Sequence, residues 1–388
     1  MMRLCATWSI CAFLLAHPAA VLADHARVPL EPLAAYAKLD PTAITVSGIS
    51  SGAFFAHQFH VAFSGLVKGA AMVAGGLYAC AEQVEEVRPP FGNPFLSGGV
   101  PRSVVAALAV CTRFGRAGFA QSWWSFPETP NAAASRKSAL AAHAAGQIDD
   151  PTHLASSLVW LFHGGKDAGV PRTTMAEMRA FYILMGVPAA NIEMKEGPDA
   201  EHGMPVKEPM PAGSGPHCRI PEDSFLVRCD YGAAELLLRH LYPGSALAAG
   251  AGPGRIAGFD QTQFYDESEE RISLNETGYL YVPASCENGA PAAVRCNLHV
   301  AFHGCQQYVG RIHDAFFRDA GYNAWADANN IIILYPQVTP WSRLTDPVGL
   351  TANPNSCWDW WGYSGGDYFT REGKQMRAVR AMIERMLP

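Results

Sequence analysis

Charge is scarce in this chain. Asp, Glu, Lys and Arg make up 16% of its 388 residues and leave a net −6. So sparse and slightly acidic a balance supplies no basic stripe, which excludes nucleic acid and anionic membrane surfaces as partners. Metal-ligand spacing is missing too. No C-x-x-C and no H-E-x-x-H occurs, so no metal site and no cofactor is expected. Beyond about Leu22 no apolar run is long enough to cross a bilayer, which argues against stable membrane insertion. Internal repeats are absent, and Ser245–Gly254 is the one low-complexity tract. What is abundant is hydrophobic residues, at 49%, the composition of a core-rich globular protein.

The first residues read as a targeting segment. Met1-Met2-Arg3 precedes an apolar stretch from about Ala6 to Leu22, and Val21-Leu22-Ala23 supplies small residues before Asp24. That pattern predicts a signal peptide over 1–23 and a secreted protein, periplasmic or extracellular, with a single catalytic domain over 24–388. Of ten cysteines, Cys5 and Cys11 would leave with the leader. The remaining Cys80, Cys111, Cys218, Cys229, Cys286, Cys296, Cys305 and Cys357 are even in number, which in an exported chain reads as a disulfide framework. Spacing suggests the local clips Cys218–Cys229 and Cys286–Cys296 and leaves the other pairs open.

The most informative stretch is Ile44-Thr45-Val46-Ser47-Gly48-Ile49-Ser50-Ser51-Gly52-Ala53. A β-branched run enters a G-x-S-x-G box, and a helix-compatible segment, Phe54-Phe55-Ala56-His57-Gln58-Phe59, leaves it. This is the strand, sharp turn and helix of a nucleophile elbow, which exposes Ser50 Oγ and aims the Ser51 N–H at a developing oxyanion.

A serine hydroxyl needs a base to take its proton and an acid to orient that base. Asp167 lies just past the strand-like Leu158–Phe162, in the turn His163-Gly164-Gly165-Lys166-Asp167. His202 follows in a loop after a short strand over Asn191–Glu196. The order Ser, acid, His is that of an α/β-hydrolase. His217 and His240 are weaker candidates for the base, and His163 reads as a strand-end structural residue. Further strand-like runs (Gly69–Gly76, Arg255–Phe259, Gly278–Pro283, Leu298–Cys305, Ile331–Pro336) alternate with helical segments near Thr173–Met185, Tyr231–Leu241 and Tyr368–Met386. The fold class is therefore α/β, with a mostly parallel central sheet flanked by helices. Residues 85–131, rich in Pro, Gly and aromatics, read as a surface excursion with a helix near Arg102–Val110.

The second oxyanion donor comes in this fold from a His-Gly loop after an earlier strand, yet no such strand precedes Ser50. The matching piece, His303-Gly304-Cys305-Gln306-Gln307, lies far downstream. The strand order is therefore rotated, with Ser245–Gly254 where the old ends would be joined, and the Cys305 N–H is the expected second donor.

Several strings are long enough to be specific: Met72-Val73-Ala74-Gly75-Gly76-Leu77-Tyr78-Ala79-Cys80, Gly278-Tyr279-Leu280-Tyr281-Val282-Pro283, His299-Val300-Ala301-Phe302-His303-Gly304-Cys305 and Asn353-Pro354-Asn355-Ser356-Cys357-Trp358-Asp359-Trp360. With the elbow, these resemble the single-domain polyhydroxybutyrate depolymerases from about Pro41 to the C-terminus. The resemblance implies a circularly permuted α/β-hydrolase fold, with Ser50, Asp167 and His202 as the triad and the Ser51 and Cys305 amides as the oxyanion hole. It also implies the pairs Cys80–Cys111, Cys218–Cys229, Cys286–Cys296 and Cys305–Cys357. The tryptophan matching Trp360 borders the substrate crevice in that family, so Trp360, with Trp358 and His303, is a candidate substrate contact. Three departures bear on crevice shape: Ala53 where a second glycine is usual, a longer Cys80–Cys111 loop, and the Trp123-Trp124 segment.

The expected function is a secreted serine esterase acting on poly(3-hydroxybutyrate) or its oligomers, as a monomer. A small-ester or acetyl xylan/feruloyl-type carboxylesterase shares the same chemistry. A catalytically silent surface binding protein is the alternative of a different class.

Overall fold

The computed structural model describes residues 29–30, 38–83, 107, 111–112, 131–207, 218, 224–244, 252, 254–269, 271–287, 294–341 and 352–388. The expected leader, the helix near Arg102–Val110, Trp123-Trp124, His217 and nearly all of the Ser245–Gly254 tract lie outside the described residues.

Among the described residues, ten strands run in chain order. The first six are β1 (Lys38–Ile49), β2 (Gly69–Val73), β3 (Leu158–Gly164), β4 (Ile192–Gly197), β5 (Met204–Lys207) and β6 (Leu226–Cys229). Then come β7 (Arg255–Asp260), β8 (Thr277–Val282), β9 (Arg295–Phe302) and β10 (Ile331–Tyr335). Eight of them form one sheet in the order β4-β3-β2-β1-β9-β10-β8-β7, and β5 and β6 pair separately. All contacts from β4 to β10 are parallel; β8 and β7 complete the edge antiparallel.

This order makes the rotation concrete. The chain enters at the middle of the sheet with β1, builds outward to the β4 edge, then crosses to β7 and returns inward. Its early and late parts meet at β1, where Val46 is level with Ala70 of β2 on one side and Val300 of β9 on the other, while β10 lies between β9 and β8. Counted from β7, the strands lie first, second, fourth, third, fifth, sixth, seventh and eighth.

A central parallel strand is covered on both faces, so its side chains must be apolar or fully satisfied. Val46 joins one core and Ile49 the other. Thr45 and Ser47, also buried, hydrogen-bond across to His299 of β9 at 2.7 Å each. Tyr242 and Tyr322 hydroxyls close the same network at 2.6 and 2.8 Å. Burial pushes His299 down to about 3, so it serves here as a neutral crosslink between β1 and β9.

Six helices of seven residues or more flank the sheet among the described residues: α1 (Ser51–Ala62), α2 (Ala132–Ala144), α3 (Arg172–Leu184), α4 (Ala233–Leu241), α5 (Tyr322–Ala328) and α6 (Lys374–Met386). Phe55, Met178 and Val379 of α1, α3 and α6 pack on Val46, Met72 and Val300. On the opposite face Leu237, Leu238 and Ala326 of α4 and α5 cover Trp160, Ala301 and Ile333. The result is a three-layer α/β sandwich.

Local sequence misplaces one helix start. The final helix begins at Lys374 rather than Tyr368, because Gly373 takes an extended ψ of 135° and residues 367–373 close as turns on Asp367 and Thr370 carbonyls. Helix α2, capped by the Asn131 side chain on the Ala134 N–H at 2.8 Å, and the β5–β6 pair are further elements that local patterns did not reveal.

Candidate active site

Ser50 sits between β1 and α1 with φ 53° and ψ −123°. Its N–H donates to the Val73 carbonyl at 2.9 Å, and its own carbonyl accepts the Ala53 and Phe54 N–H groups that start the helix. The flanking glycines are obligatory. A Cβ on Gly48 would land on the Gly52 carbonyl, and one on Gly52 on the carbonyls of Phe302 and His303. The Ala53 methyl is tolerated because the nearby chain is Gly75, where an added Cβ would come within 2.7 Å of it.

Asp167 and His202 arrive from two loops that are stitched together. Past β3, the Gly165 and Lys166 N–H groups donate to the Gly197 and Ala200 carbonyls at 2.7 and 2.9 Å. The Glu201 N–H reaches the Cys218 carbonyl at 2.9 Å, and Cys218 is bridged to Cys229 on β6. Asp167 Oδ1 accepts the Gly169 and Val170 N–H groups at 2.7 and 2.9 Å, which leaves Oδ2 for His202 Nδ1 at 2.9 Å. His202 Nε2 lies 2.9 Å from Ser50 Oγ. Since Nδ1–H faces the carboxylate, Nε2 is the acceptor and the serine O–H donates to it. Burial by itself would raise the Asp167 carboxyl. The hydrogen bond and charge of His202, with the two amides, outweigh it and hold Asp167 below the usual carboxylate range. His163 donates from Nε2 to the Val170 carbonyl at 3.0 Å, so it braces the acid's turn. His240 is occupied on α4 with the Asn191 carbonyl at 2.9 Å.

The loop after β9 completes the arrangement. Gly304 N–H donates to Gln307 Oε1 at 2.7 Å and Gln306 N–H to the Asn355 carbonyl at 2.6 Å. Cys305 is tied to Cys357. Among the described residues no protein acceptor takes the Ser51 or the Cys305 N–H. Between them and His202 lies a crevice lined by Ile49, Ser50, His202, Phe225, Gly304, Cys305, Gln306 and Gln307. The other bridges join Cys80 to Cys111 and Cys286 to Cys296.

The three candidate substrate contacts fall elsewhere. Trp358 is fully buried, with its ring 4.6 Å from Phe55 and 4.9 Å from Phe302. Trp360 stacks on Phe54 at 4.1 Å and keeps 7% of its surface exposed. His303 is buried, donates from Nδ1 to the Gly304 carbonyl at 2.7 Å, and accepts the Val338 N–H. None lines the crevice. The cause is Asp359, whose carboxylate accepts the N–H groups of Trp361, Gly362, Tyr363 and Ser364 and so curls the loop inward. Both tryptophans are thereby drawn into the core under α1. The crevice instead takes Ile49, Phe225, Gln306 and Gln307. The two glutamines could have been suspected from their place after His303-Gly304-Cys305, but Phe225 carries no local signal.

A parallel sheet with a serine at its central strand-to-helix turn, and a histidine and aspartate hydrogen-bonded behind it, defines an α/β-hydrolase fold. No protein-family model matches the chain. It is 36% identical over 368 residues to a poly(3-hydroxybutyrate) depolymerase of Delftia acidovorans, a match covering 93% of this chain and 62% of that protein's length. It is 30% identical over 373 residues to a polyhydroxybutyrate depolymerase of Talaromyces funiculosus, covering 93% and 94%. Among solved structures, a PHB depolymerase complexed with an R3HB trimer superposes with a TM-score of 0.71 at 27% identity, over 93% of this chain and 99% of that one. The crystal structure of PHB depolymerase from Penicillium funiculosum gives 0.69 at 28%, over 91% and 98%. The chain belongs to the polyhydroxybutyrate depolymerase family.

Proposed function

We propose that this protein is a secreted serine esterase that hydrolyses poly(3-hydroxybutyrate) or its oligomers through an acyl-enzyme. The observation that carries the reading is the unbroken hydrogen-bond chain from Ser50 Oγ through His202 to Asp167, 2.9 Å at each link. In the proposed cycle Ser50 Oγ attacks the ester carbonyl carbon as His202 Nε2 takes its proton. The Ser51 and Cys305 amides hold the carbonyl oxygen as it becomes an oxyanion. Collapse breaks the acyl C–O bond, and His202 returns the proton to the departing alkoxide. Water then repeats the sequence on the acyl-serine and frees the acid.

Asp167 keeps Nδ1 protonated and stabilises the imidazolium without taking the proton itself. The crevice walls suit an uncharged ester: among the described residues, no Asp, Glu, Lys or Arg lines them. The relatives' names supply the polyester, and the four disulfides support export from the reducing cytosol.

The test is a clearing-zone assay on polymer granules, run beside short p-nitrophenyl esters, with wild type and Ser50→Ala. Both activities should be present and both lost in the variant. Turnover of short esters with none of polymer or oligomer would leave a small-ester carboxylesterase, and turnover unaffected by Ser50→Ala would remove the triad.

A further inference from the structure

Among the described residues, ten other than glycine hold a positive φ, and three of these, Ser50, Phe225 and Gln306, line the crevice. Phe225, at φ 55°, carries the one hydrocarbon side chain larger than methyl in that set. A bulky residue in the left-handed region is unfavourable and persists only where its surroundings fix it, which happens most often at functional sites.

The surroundings here are two clamps. On one side the Ser224 carbonyl accepts Gln307 Nε2 at 2.9 Å. The same Gln307 side chain accepts the Gly304 N–H, so Phe225 is referenced to the oxyanion loop. On the other side the Phe225 carbonyl accepts the Met204 N–H at 2.9 Å, and Met204 opens β5 two residues after His202. Gln307 itself is 2% exposed. The backbone of Phe225 is thus held between the segments that carry the Cys305 amide and the imidazole.

Core packing does not account for the ring. Leu226 and Val227, next in the chain, belong to a hydrophobic core; Phe225 belongs to neither core and meets no other aromatic ring among the described residues. Phe225 lines the crevice together with Ile49, Ser50, His202 and residues 304–307.

We infer that Phe225 determines specificity: it is the wall against which the alkyl substituent on the acyl unit rests, and it sets the largest substituent admitted. The inference rests on the esterase reading above. Phe225 and Ile49 give the substituent a hydrocarbon partner, where burial of each methylene is favourable. Because its backbone is clamped on both sides, the Cα–Cβ bond keeps its direction at the crevice, and a ring on that bond leaves room for a methyl where a long alkyl chain collides.

Phe225→Ala and Phe225→Leu are compared with wild type on p-nitrophenyl esters of 3-hydroxybutyrate and 3-hydroxyoctanoate, which differ only in the length of the substituent. The readout is the ratio of the two kcat/KM values. Wild type should favour the shorter ester, and Phe225→Ala should move the ratio about tenfold or more toward the longer one, with Phe225→Leu between. Should the alanine variant fail to fold, the leucine variant still reads the ratio. A ratio unchanged in the folded variants overturns the inference, even where both rates fall together, because a merely structural residue lowers both alike. Wild type active on both esters with an unmoved ratio rejects Phe225 alone; wild type inactive on both rejects the esterase reading with it.

Discussion

Ser50 and its two partners divide one task by backbone and hydrogen bond. The strained φ of 53° lifts the hydroxyl out of the sheet, and two glycines let β1 and α1 meet closely enough for that to happen. Asp167 spends one oxygen on two amides and the other on His202, so its orientation is fixed independently of the base. Asp167→Asn should keep the fold and lower kcat by roughly 10⁴, since an amide stabilises the wrong imidazole tautomer. Steady-state kinetics with a matched circular dichroism spectrum check this, and a loss below tenfold would remove Asp167 from the triad.

The direction of the Asp167 shift fixes a pH expectation. A carboxyl held below its unfolded value stays ionised above that value and is protonated only as pH falls through the lowered one. Protonation of Asp167 should therefore leave kcat/KM untouched until pH falls below the ordinary carboxylate range. A carboxyl-carbon NMR titration of Asp167 within that range would overturn this.

At the scale of elements, the elbow is the clearest case of sequence dictating structure. The β-branched Ile44-Thr45-Val46, the G-x-S-x-G box and the small residues after it are all local, and each forms the expected strand, turn and helix. Gly52→Ala should destabilise by about 1–3 kcal/mol, because the new methyl meets the carbonyls of Phe302 and His303. Urea unfolding measures the cost, and an unchanged midpoint would show that α1 can move away from β9. The Trp358-Asp359-Trp360 loop is the opposite case. The resemblance made Trp358 and Trp360 candidate substrate contacts, yet their direction is set by how the Asp359 carboxylate gathers four amides. The final helix start was illegible for a similar reason, since Gly373 and the turns before it act through φ and ψ, not through hydrophobic period.

For the whole molecule, the rotated strand order leaves β1 flanked by β2 and β9, so the early and late parts of the chain share one core from the first strand onward. Among the described residues, His57, His60, His299 and His303 are fully buried. Burial lowers His57 and His303 to about 4 and His60 and His299 to about 3. Each group binds its proton less readily folded than unfolded. Its contribution to stability is present above the ordinary histidine value and is lost as pH falls toward the lowered one. The urea midpoint should therefore drop steadily between about pH 7 and about pH 4. A midpoint flat across that window would mean that these side chains reach water. Reduction acts on the same whole. The Cys305–Cys357 bridge joins the oxyanion loop to the inward-curled tryptophan loop, so thiol reductant should lower thermal stability by about 2–5 kcal/mol per bridge lost. Calorimetry with and without reductant reads this out, and identical unfolding would make the bridges dispensable.

The sequence by itself determined the class of fold and nominated the residues that the proposed chemistry uses. Ser50 and Asp167 are marked by turns written in consecutive residues, His202 by its place after them, and the rotation by the position of His303-Gly304-Cys305 far downstream of Ser50. Only the tertiary structure decided what surrounds the reacting atoms. Ile49, Phe225 and Gln307 come from three separate stretches that the crossing between sheet edges brings to one crevice, while Trp358, Trp360 and His303 are turned into the core. Local patterns record how neighbouring residues fold on one another. Which distant side chains share a cavity depends on packing, and no window of the sequence contains it.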